Sequence, residues 1–187
     1  MDYRIMVQST PNPNALKFVL NAPVKTAGNV TYKDAEECGG NTLAKELFTI
    51  SNIREVYFFD NYITVTQDGN ADWDDLEEQI QRVIMGNIAG HNPGFEIPKE
   101  ETAKPQEPVQ DSPEMKEISE ILDQTVRPAL QMDGGDLQLR SLEGNVLRIS
   151  YQGACGSCPS ATMGTLKAIE NLLRDEYDPE IVVELSN

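Results

Sequence analysis

Cysteine and histidine are scarce in this chain of 187 residues, which contains three cysteines and a single histidine. Three cysteines are too few for the disulfide framework of a small secreted protein. In a reducing compartment, two cysteines that are close in sequence more often bind a metal or carry out redox chemistry. The cysteines are therefore the first residues to consider as a functional site.

Basic residues are also few, since 15 lysines and arginines stand against 31 aspartates and glutamates, for a formal net charge of -16. Such a chain repels phosphates, so the composition argues against nucleic acid and against an anionic membrane surface as partners. No run of residues is long and apolar enough to span a bilayer, and no signal peptide precedes the first strand-like residues. The sequence as given predicts a cytoplasmic protein, although an organellar protein without its leader is compatible with the same pattern.

Two of the cysteines, Cys155 and Cys158, are separated by two residues, which lets both sulfurs face one ion or cluster. Pro159 favours the first turn of a helix, and apolar residues then recur at helical spacing from Leu166 to Leu173. The unpaired N–H groups and the positive end of the helix dipole would lie beside the sulfurs. That setting favours the thiolate, which is the form that binds metal.

Four interpretations of this pair stay open from the residues alone. A [4Fe–4S] cluster normally needs four thiolates, so two chains would have to share it. Zinc also prefers four ligands, and the sequence has no second Cys-x-x-Cys pair. A dithiol oxidoreductase places such a pair after the first strand of a βαβ unit, whereas a hairpin is predicted here. Two inert buried thiols are the fourth interpretation.

The N-terminal half alternates strand-like and helix-like segments. Strands are predicted at residues 3–8, 15–20, 55–59 and 62–66, a short helix begins at Asn41 or Thr42, and a longer helix follows Asp72. Residues 21–41 lack a regular period and are predicted to be irregular. This order predicts a small α+β sandwich with helices on one face of an antiparallel sheet.

A proline-rich stretch at residues 91–112 predicts a linker in which His91 is a solvated side chain. After it, Ser112 caps a predicted helix that Pro128 should kink or end. Two strands, the cysteine loop with its helix and a final strand follow. The predicted fold class is therefore α+β, with two small α+β domains joined by a Pro-rich linker.

Other polar residues are weaker candidates for a site. Cys38 lies beside two glycines and is interpreted as an incidental thiol in a loop. Lys167 either neutralises charge near the cysteines or is a solvated surface lysine. Asp133 and Asp136 flank paired glycines and are interpreted as a turn that ends a helix. No nucleophile–base pair, phosphate loop or paired carboxylates are visible, which predicts a protein that is not an enzyme.

Several separated motifs resemble one known family. Residues 155–160 (Cys-Gly-Ser-Cys-Pro-Ser), 165–167 (Thr-Leu-Lys), 127–131 (Arg-Pro-Ala-Leu-Gln) and 133–136 (Asp-Gly-Gly-Asp) resemble the C-terminal domain of NifU, the Nfu-type iron–sulfur scaffold. Residues 10–18, Thr-Pro-Asn-Pro-Asn-Ala-Leu-Lys-Phe, resemble the signature of the N-terminal domain of Nfu-type scaffolds. The agreement of several motifs in order and spacing makes the resemblance specific.

The resemblance implies a scaffold or carrier for iron–sulfur clusters. It implies that Cys155 and Cys158 are the ligands of the cluster. Because a [4Fe–4S] cluster normally needs four thiolates, we expect it to be shared by the two chains of a homodimer. It further implies apo iron–sulfur proteins as recipients and an upstream cluster assembly machinery as donor. The implied domains are an Nfu-type N-terminal domain at 1–90, a linker at 91–112 and a NifU-like cluster-binding domain at 113–187.

Overall fold

Helices and strands occur in both halves of the chain, and this confirms the predicted α+β class with two domains. The structure is a computed structural model that describes residues 2–95, 112–156 and 159–186, with residues 159–163 described by their backbone alone.

Contacts divide the chain into two compact units, Met1–Ala103 and Lys104–Asn187. Most of the predicted linker at 91–112 lies outside the described residues, which resume at Ser112. The exact domain bounds remain a prediction.

The first unit is built on a five-stranded antiparallel sheet in the order β1-β2-β5-β4-β3. Its elements in chain order are β1 (Ile5–Ser9), β2 (Ala15–Leu20), β3 (Lys25–Tyr32), α1 (Thr42–Leu47), β4 (Ile53–Asp60), β5 (Tyr62–Gln67), α2 (Trp73–Asn87) and a short 3-10 helix (Ile88–Gly90).

Alternating apolar side chains form the core of this unit on one face of the sheet. Phe58 and Phe18 lie on either side of Ile63 in neighbouring strands, and none of the three is exposed to solvent. Helix α2 covers them with Ile80 and Ile84. Burying one such side chain contributes roughly 1.5–3 kcal/mol, so this face holds the helices on the sheet.

The predicted helix caps are confirmed. Each cap joins residues that are close in sequence, which makes it predictable. The Asn41 side chain accepts a hydrogen bond from the Ala44 N–H at the start of α1. Asp72 caps α2 in the same way, and the Ser112 hydroxyl caps the first helix of the second unit. Such caps contribute about 1 kcal/mol each.

The prediction that residues 21–41 are irregular is wrong, because they contain strand β3. Gly28 has a φ of 66° and interrupts the strand, and the pairing with β4 shifts register between Lys25 and Asn29. This bulge hides the two-residue period, and only Val30 and Tyr32 reach the core.

The interpretation of His91 as a solvated linker residue is also wrong. Its ring lies 5.9 Å from the ring of Phe58 and 5.6 Å from that of Phe95. His91 Nε2 lies 2.7 Å from the carbonyl oxygen of Val24, to which it donates a hydrogen bond. Burial lowers the pKa of His91, so the neutral ring is favoured. The first unit therefore continues to Phe95.

The second unit contains a three-stranded sheet in the order β6-β7-β8. Its elements are α3 (Pro113–Thr125), α4 (Arg127–Met132), β6 (Gly135–Glu143), β7 (Val146–Gly153), α5 (Pro159–Glu176) and β8 (Val182–Leu185). Strands β6 and β7 form the predicted antiparallel hairpin, and β8 runs parallel to β7 because α5 provides the crossover between them.

Helix packing on this sheet follows the predicted apolar spacing. Ile169 and Leu173 of α5 are fully buried, and Leu166 packs against the same core. The predicted break at Pro128 is confirmed, since α3 ends at Thr125 and α4 begins at Arg127. In the described parts of the chain, every helix falls short of the length and apolar character that crossing a bilayer requires.

Candidate metal centre

The loop that carries Cys155 follows directly from the end of strand β7. Gly153 ends the strand with a φ of 62°, a left-handed conformation that glycine adopts without strain. The Gly156 N–H donates to the Gly153 carbonyl oxygen at 2.9 Å and closes a tight turn. The Ala154 N–H donates to the Gly134 carbonyl oxygen at 3.2 Å. The loop is thus attached to the start of the neighbouring strand β6.

Gly135 lies directly against the Cys155 sulfur. A Cβ atom added at Gly135 would lie 2.6 Å from Cys155 Sγ and 2.7 Å from the carbonyl oxygen of Gln152. Any larger residue would therefore displace the cysteine loop. Cys155 is half-buried and packs against the core of the second unit.

A buried ion pair braces the turn beneath this loop. Asp136 is 2% exposed and accepts a hydrogen bond from Arg127 Nη1 at 2.8 Å. Arg127 Nη1 also donates to the Leu137 carbonyl oxygen at 2.7 Å, and Gln131 Nε2 donates to Asp136 Oδ2 at 3.3 Å. The interpretation of Asp136 as a turn residue agrees with these contacts. Its pairing with Arg127 is visible only in the folded protein.

The second cysteine of the motif, Cys158, lies outside the described residues. Helix α5 begins immediately after it at Pro159, as the sequence predicts. Within residues 2–95, 112–156 and 159–186, no group of three or more His, Cys, Asp or Glu side chains is placed to hold a metal ion. The predicted ligand pair of Cys155 and Cys158 therefore remains a prediction.

Lys167 is engaged in an ion pair within its own helix. Its Nζ lies 2.6 Å from Glu170 Oε1, and Arg174 Nη2 lies 3.0 Å from the same oxygen. Glu170 Oε2 accepts the Val183 N–H of β8 at 3.2 Å. The hydrogen bond from Lys167, followed by that from Val183, holds the pKa of Glu170 below its usual value. Lys167 thus binds the carboxylate that links α5 to β8.

Cys38 belongs to the first unit and is 2% exposed. Its thiol donates to the Asp34 carbonyl oxygen at 3.3 Å. Burial, with the nearby Asp34 carboxylate adding to it, raises the pKa of Cys38 to about 12. The protonated thiol is a poor metal ligand, which agrees with the interpretation of an incidental cysteine.

Comparison with known families matches both halves of the chain. Residues 5–91 match the family model described as scaffold protein Nfu/NifU N terminal, and residues 118–184 match the NifU-like domain. The two matches follow one another in the order that the sequence motifs predict.

Relatives that match almost the whole of this chain agree with these family matches. The chain is 34% identical over 179 residues to the human NFU1 iron-sulfur cluster scaffold homolog, mitochondrial, covering 95% of this chain and 69% of the relative. It is 33% identical over 172 residues to NifU-like protein 4, mitochondrial, of Arabidopsis thaliana, covering 90% of this chain and 61% of the relative. The chain thus spans about three fifths to two thirds of the length of these relatives.

A solved structure also matches part of the chain. The solution structure of a NifU-like protein from Saccharomyces cerevisiae is 21% identical, with a TM-score of 0.43, and the match covers 52% of this chain and 86% of that one.

The expectation of a cytoplasmic location is contradicted by these comparisons. The human and the Arabidopsis relatives both carry names that place them in mitochondria. The same names describe iron–sulfur scaffold or NifU-like proteins, and neither names a catalytic activity. Since both domain families match in order and the human relative matches over more than two thirds of its length, this chain belongs to the Nfu family of iron–sulfur cluster scaffold proteins.

Proposed function

We propose that this protein is a non-enzymatic carrier that binds one [4Fe–4S] cluster between two copies of the chain and delivers it to apo iron–sulfur proteins. Cys155 and Cys158 of each copy would supply the four thiolates that such a cluster normally requires. An upstream assembly machinery would supply the cluster, which is the cargo of the protein.

The observation that best supports this proposal is the close contact between the Cys155 sulfur and Gly135. The loop is fixed to the start of β6 by the Ala154–Gly134 hydrogen bond, yet Cys155 is only half-buried. A ligand held in this way needs little reorganisation to bind, and it remains accessible to a second chain. The buried pair of Arg127 and Asp136 supports the same turn from below.

The number of sulfur ligands supports sharing between two chains. The sequence has three cysteines, and Cys38 is buried in the first unit as a protonated thiol. One chain therefore offers two thiolates, and two chains offer the four that a cubane cluster takes. A cluster held at the boundary of two subunits can be released when they separate, as a carrier requires.

Anaerobic reconstitution of cysteine variants tests this proposal. The wild type should take up about two iron and two sulfide ions per chain, which is one cluster for two chains. Cys155→Ser and Cys158→Ser should each lose most of this iron, because serine is a poor ligand for the cluster. The matched control is Cys38→Ser, which should retain the iron content of the wild type.

Two results would contradict the proposal. One is equal iron and sulfide content in the wild type and in Cys155→Ser. The other is stoichiometric zinc without iron in wild-type protein purified without oxygen, which would identify a zinc-stabilised module. Disulfide reduction by metal-free protein would instead identify a dithiol oxidoreductase.

A further inference from the structure

Arg140 of strand β6 has no carboxylate partner among the residues that the structure describes. Acidic residues outnumber basic ones by 31 to 15, so carboxylates are abundant in this chain. Each of the other six arginines forms an ion pair with an aspartate or glutamate: Arg4, Arg54, Arg82, Arg127, Arg148 and Arg174. Arg140 is therefore available to a carboxylate of another molecule.

A β-bulge places Arg140 on the face of the hairpin that points away from the apolar core. The pairing of β6 with β7 shifts register between Leu139 and Ser141, so Arg140 is the extra residue of the bulge. Bulges of this kind change the direction of a side chain. Arg140 Nε donates to Ser150 Oγ at 2.8 Å. Ser150 follows Ile149, which lies in the core, so the Ser150 side chain is on the opposite face of the sheet.

The hydrogen bond to Ser150 holds the guanidinium group and leaves its two terminal nitrogens open. Over the described ranges of the chain, neither Nη1 nor Nη2 of Arg140 makes a hydrogen bond or an ion pair. Arg140 is half-buried, and this burial lowers its pKa. A cation that is partly removed from water gains from an opposite charge, and the two nitrogens match the two oxygens of a carboxylate.

The acidic residues of this sheet are already engaged. Asp136 is held in the buried ion pair described above, and Glu143 and Glu184 lie 2.7 Å and 3.9 Å from nitrogens of Arg148. A two-fold dimer uses the same surface on both copies, so each copy would need an open carboxylate on this face. The complement of Arg140 is therefore expected from a different protein and not from a second copy.

Strand β7 connects this face to the cysteine loop. Ser150 is three residues before Gly153, where the strand ends and the loop begins. At 3.3 Å per residue, three residues of a strand span about 10 Å. A protein that binds at Arg140 would therefore lie beside a cluster held by the loop.

We propose that the face of the β6–β7 hairpin around Arg140 docks the recipient apo-protein, and that a carboxylate of the recipient pairs with the Arg140 guanidinium. This inference rests on the proposed function. The net charge of -16 favours the approach of a basic recipient. The single open arginine then fixes the orientation of the recipient, because only a carboxylate at one place on its surface can pair with it.

Three variants of the full-length chain separate this role from a general effect of charge. Arg140→Gln removes the guanidinium. Arg82→Gln is the matched control, because it changes the net charge equally and alters an exposed ion pair in the first unit. Arg140→Lys keeps the charge but loses the planar pair of donors. The probe is apo-aconitase, a protein that takes up a [4Fe–4S] cluster, and its affinity for the cluster-free chain is measured first.

The expected result for Arg140→Gln is binding of apo-aconitase about tenfold weaker than that of the wild type, because a hydrogen-bonded ion pair is lost. Arg140→Lys should lie between the two, and Arg82→Gln should match the wild type. In cluster transfer from the loaded chain, Arg140→Gln should need about tenfold more apo-aconitase for half of the maximal rate. The maximal rate and the iron content should stay those of the wild type.

The inference is overturned if Arg140→Gln binds apo-aconitase as tightly as the wild type, or if the wild type does not bind it. It is also overturned if Arg82→Gln weakens binding equally, since net charge alone would then explain the effect. Lower stability in urea with equal loss of binding in Arg140→Gln and Arg140→Lys would assign Arg140 to packing instead. Absence of iron in the reconstituted wild type contradicts the proposed function itself and does not affect the binding result, which uses cluster-free chains.

Discussion

At the scale of single residues, the contact between Cys155 and Gly135 determines which substitutions position 135 tolerates. The cysteine sulfur lies where the side chain of residue 135 would otherwise be. The contact joins the first residue of β6 to the loop after β7, so the geometry of the sulfur depends on a residue twenty positions earlier. The ion pair between Arg127 and Asp136 then holds the start of β6 in place.

Replacing this glycine should disturb the cysteine loop. Gly135→Ala is expected to reduce the free energy of unfolding by about 2 kcal/mol, because the added methyl group meets backbone as well as sulfur. Iron uptake should fall together with stability. Urea unfolding and iron analysis measure the two effects.

Gly164→Ala is the control for this substitution. Gly164 is an exposed residue of α5, and an added Cβ atom there meets nothing within 4 Å. Alanine in a helix should leave stability unchanged or raise it by about 0.5–1 kcal/mol. Wild-type stability and iron content in Gly135→Ala would show that the sulfur is not seated on this residue.

Removing the arginine of the buried ion pair should be more costly than removing a surface arginine. Arg127→Met leaves the carboxylate of Asp136 buried without its cation and is expected to reduce the free energy of unfolding by about 3 kcal/mol. Arg148→Met is the matched control, because Arg148 pairs with exposed Glu143 and should change stability by less than about 1 kcal/mol. Equal losses in urea unfolding of the two cluster-free variants would contradict the role of Arg127 as a brace.

At the scale of secondary-structure elements, helix α5 connects the cysteine loop to the last strand. Its first residue follows the cysteine motif, and its Glu170 holds the backbone of β8 through Val183. Lys167 and Arg174 bind the same carboxylate from both sides. The helix that begins at the site is therefore fixed to the sheet at its middle.

The carboxylate of Glu170 should make this junction sensitive to pH. The pKa of Glu170 is lowered in the folded protein, so its contribution to stability is full above the ordinary pKa of glutamate. That contribution is lost as the pH falls through the lowered pKa. Glu170→Gln should be less stable than the wild type at pH 7, and the difference should shrink in acid.

Urea unfolding of both proteins across the acid range measures this difference. Glu143→Gln, which alters an exposed ion pair, is the control and should show a smaller difference at every pH. A difference between Glu170→Gln and the wild type that stays constant down to strongly acid pH would contradict the assignment.

The elements that local residues determine were predictable from the sequence. The caps at Asn41 and Asp72 bond within three residues, and the spacing in α5 is visible as a pattern. Strand β3 cannot be recognised in the sequence because its bulge hides the period and its pairing with β4 is distant in sequence. The burial of His91 is hidden for a related reason, since its partner Val24 lies 67 residues earlier.

The candidate site also has some features that the sequence predicts and others that depend on the folded structure. The spacing of Cys155 and Cys158 and the helix start after them are local features, so the sequence predicts them. Gly135 matters through its contact with Cys155, which only the folded hairpin creates. No period or spacing in the sequence indicates that Gly135 lies against the loop.

At the scale of the whole molecule, one chain carries half of the thiolates that the proposed cluster needs. Each chain also has a formal net charge of -16, so two copies repel one another in the absence of a bridging group. Salt screens this repulsion over about 10 Å at 0.1 M ionic strength. We therefore expect the cluster-free protein to be monomeric at low ionic strength and the loaded protein to be dimeric.

Native mass spectrometry of the anaerobically reconstituted protein measures whether two chains share one cluster. We expect a species of two chains that carries four iron and four sulfide ions, and its conversion to single chains when a chelator removes the iron. A single chain that carries a complete cluster, or a wild-type protein that carries no iron after reconstitution, would contradict it.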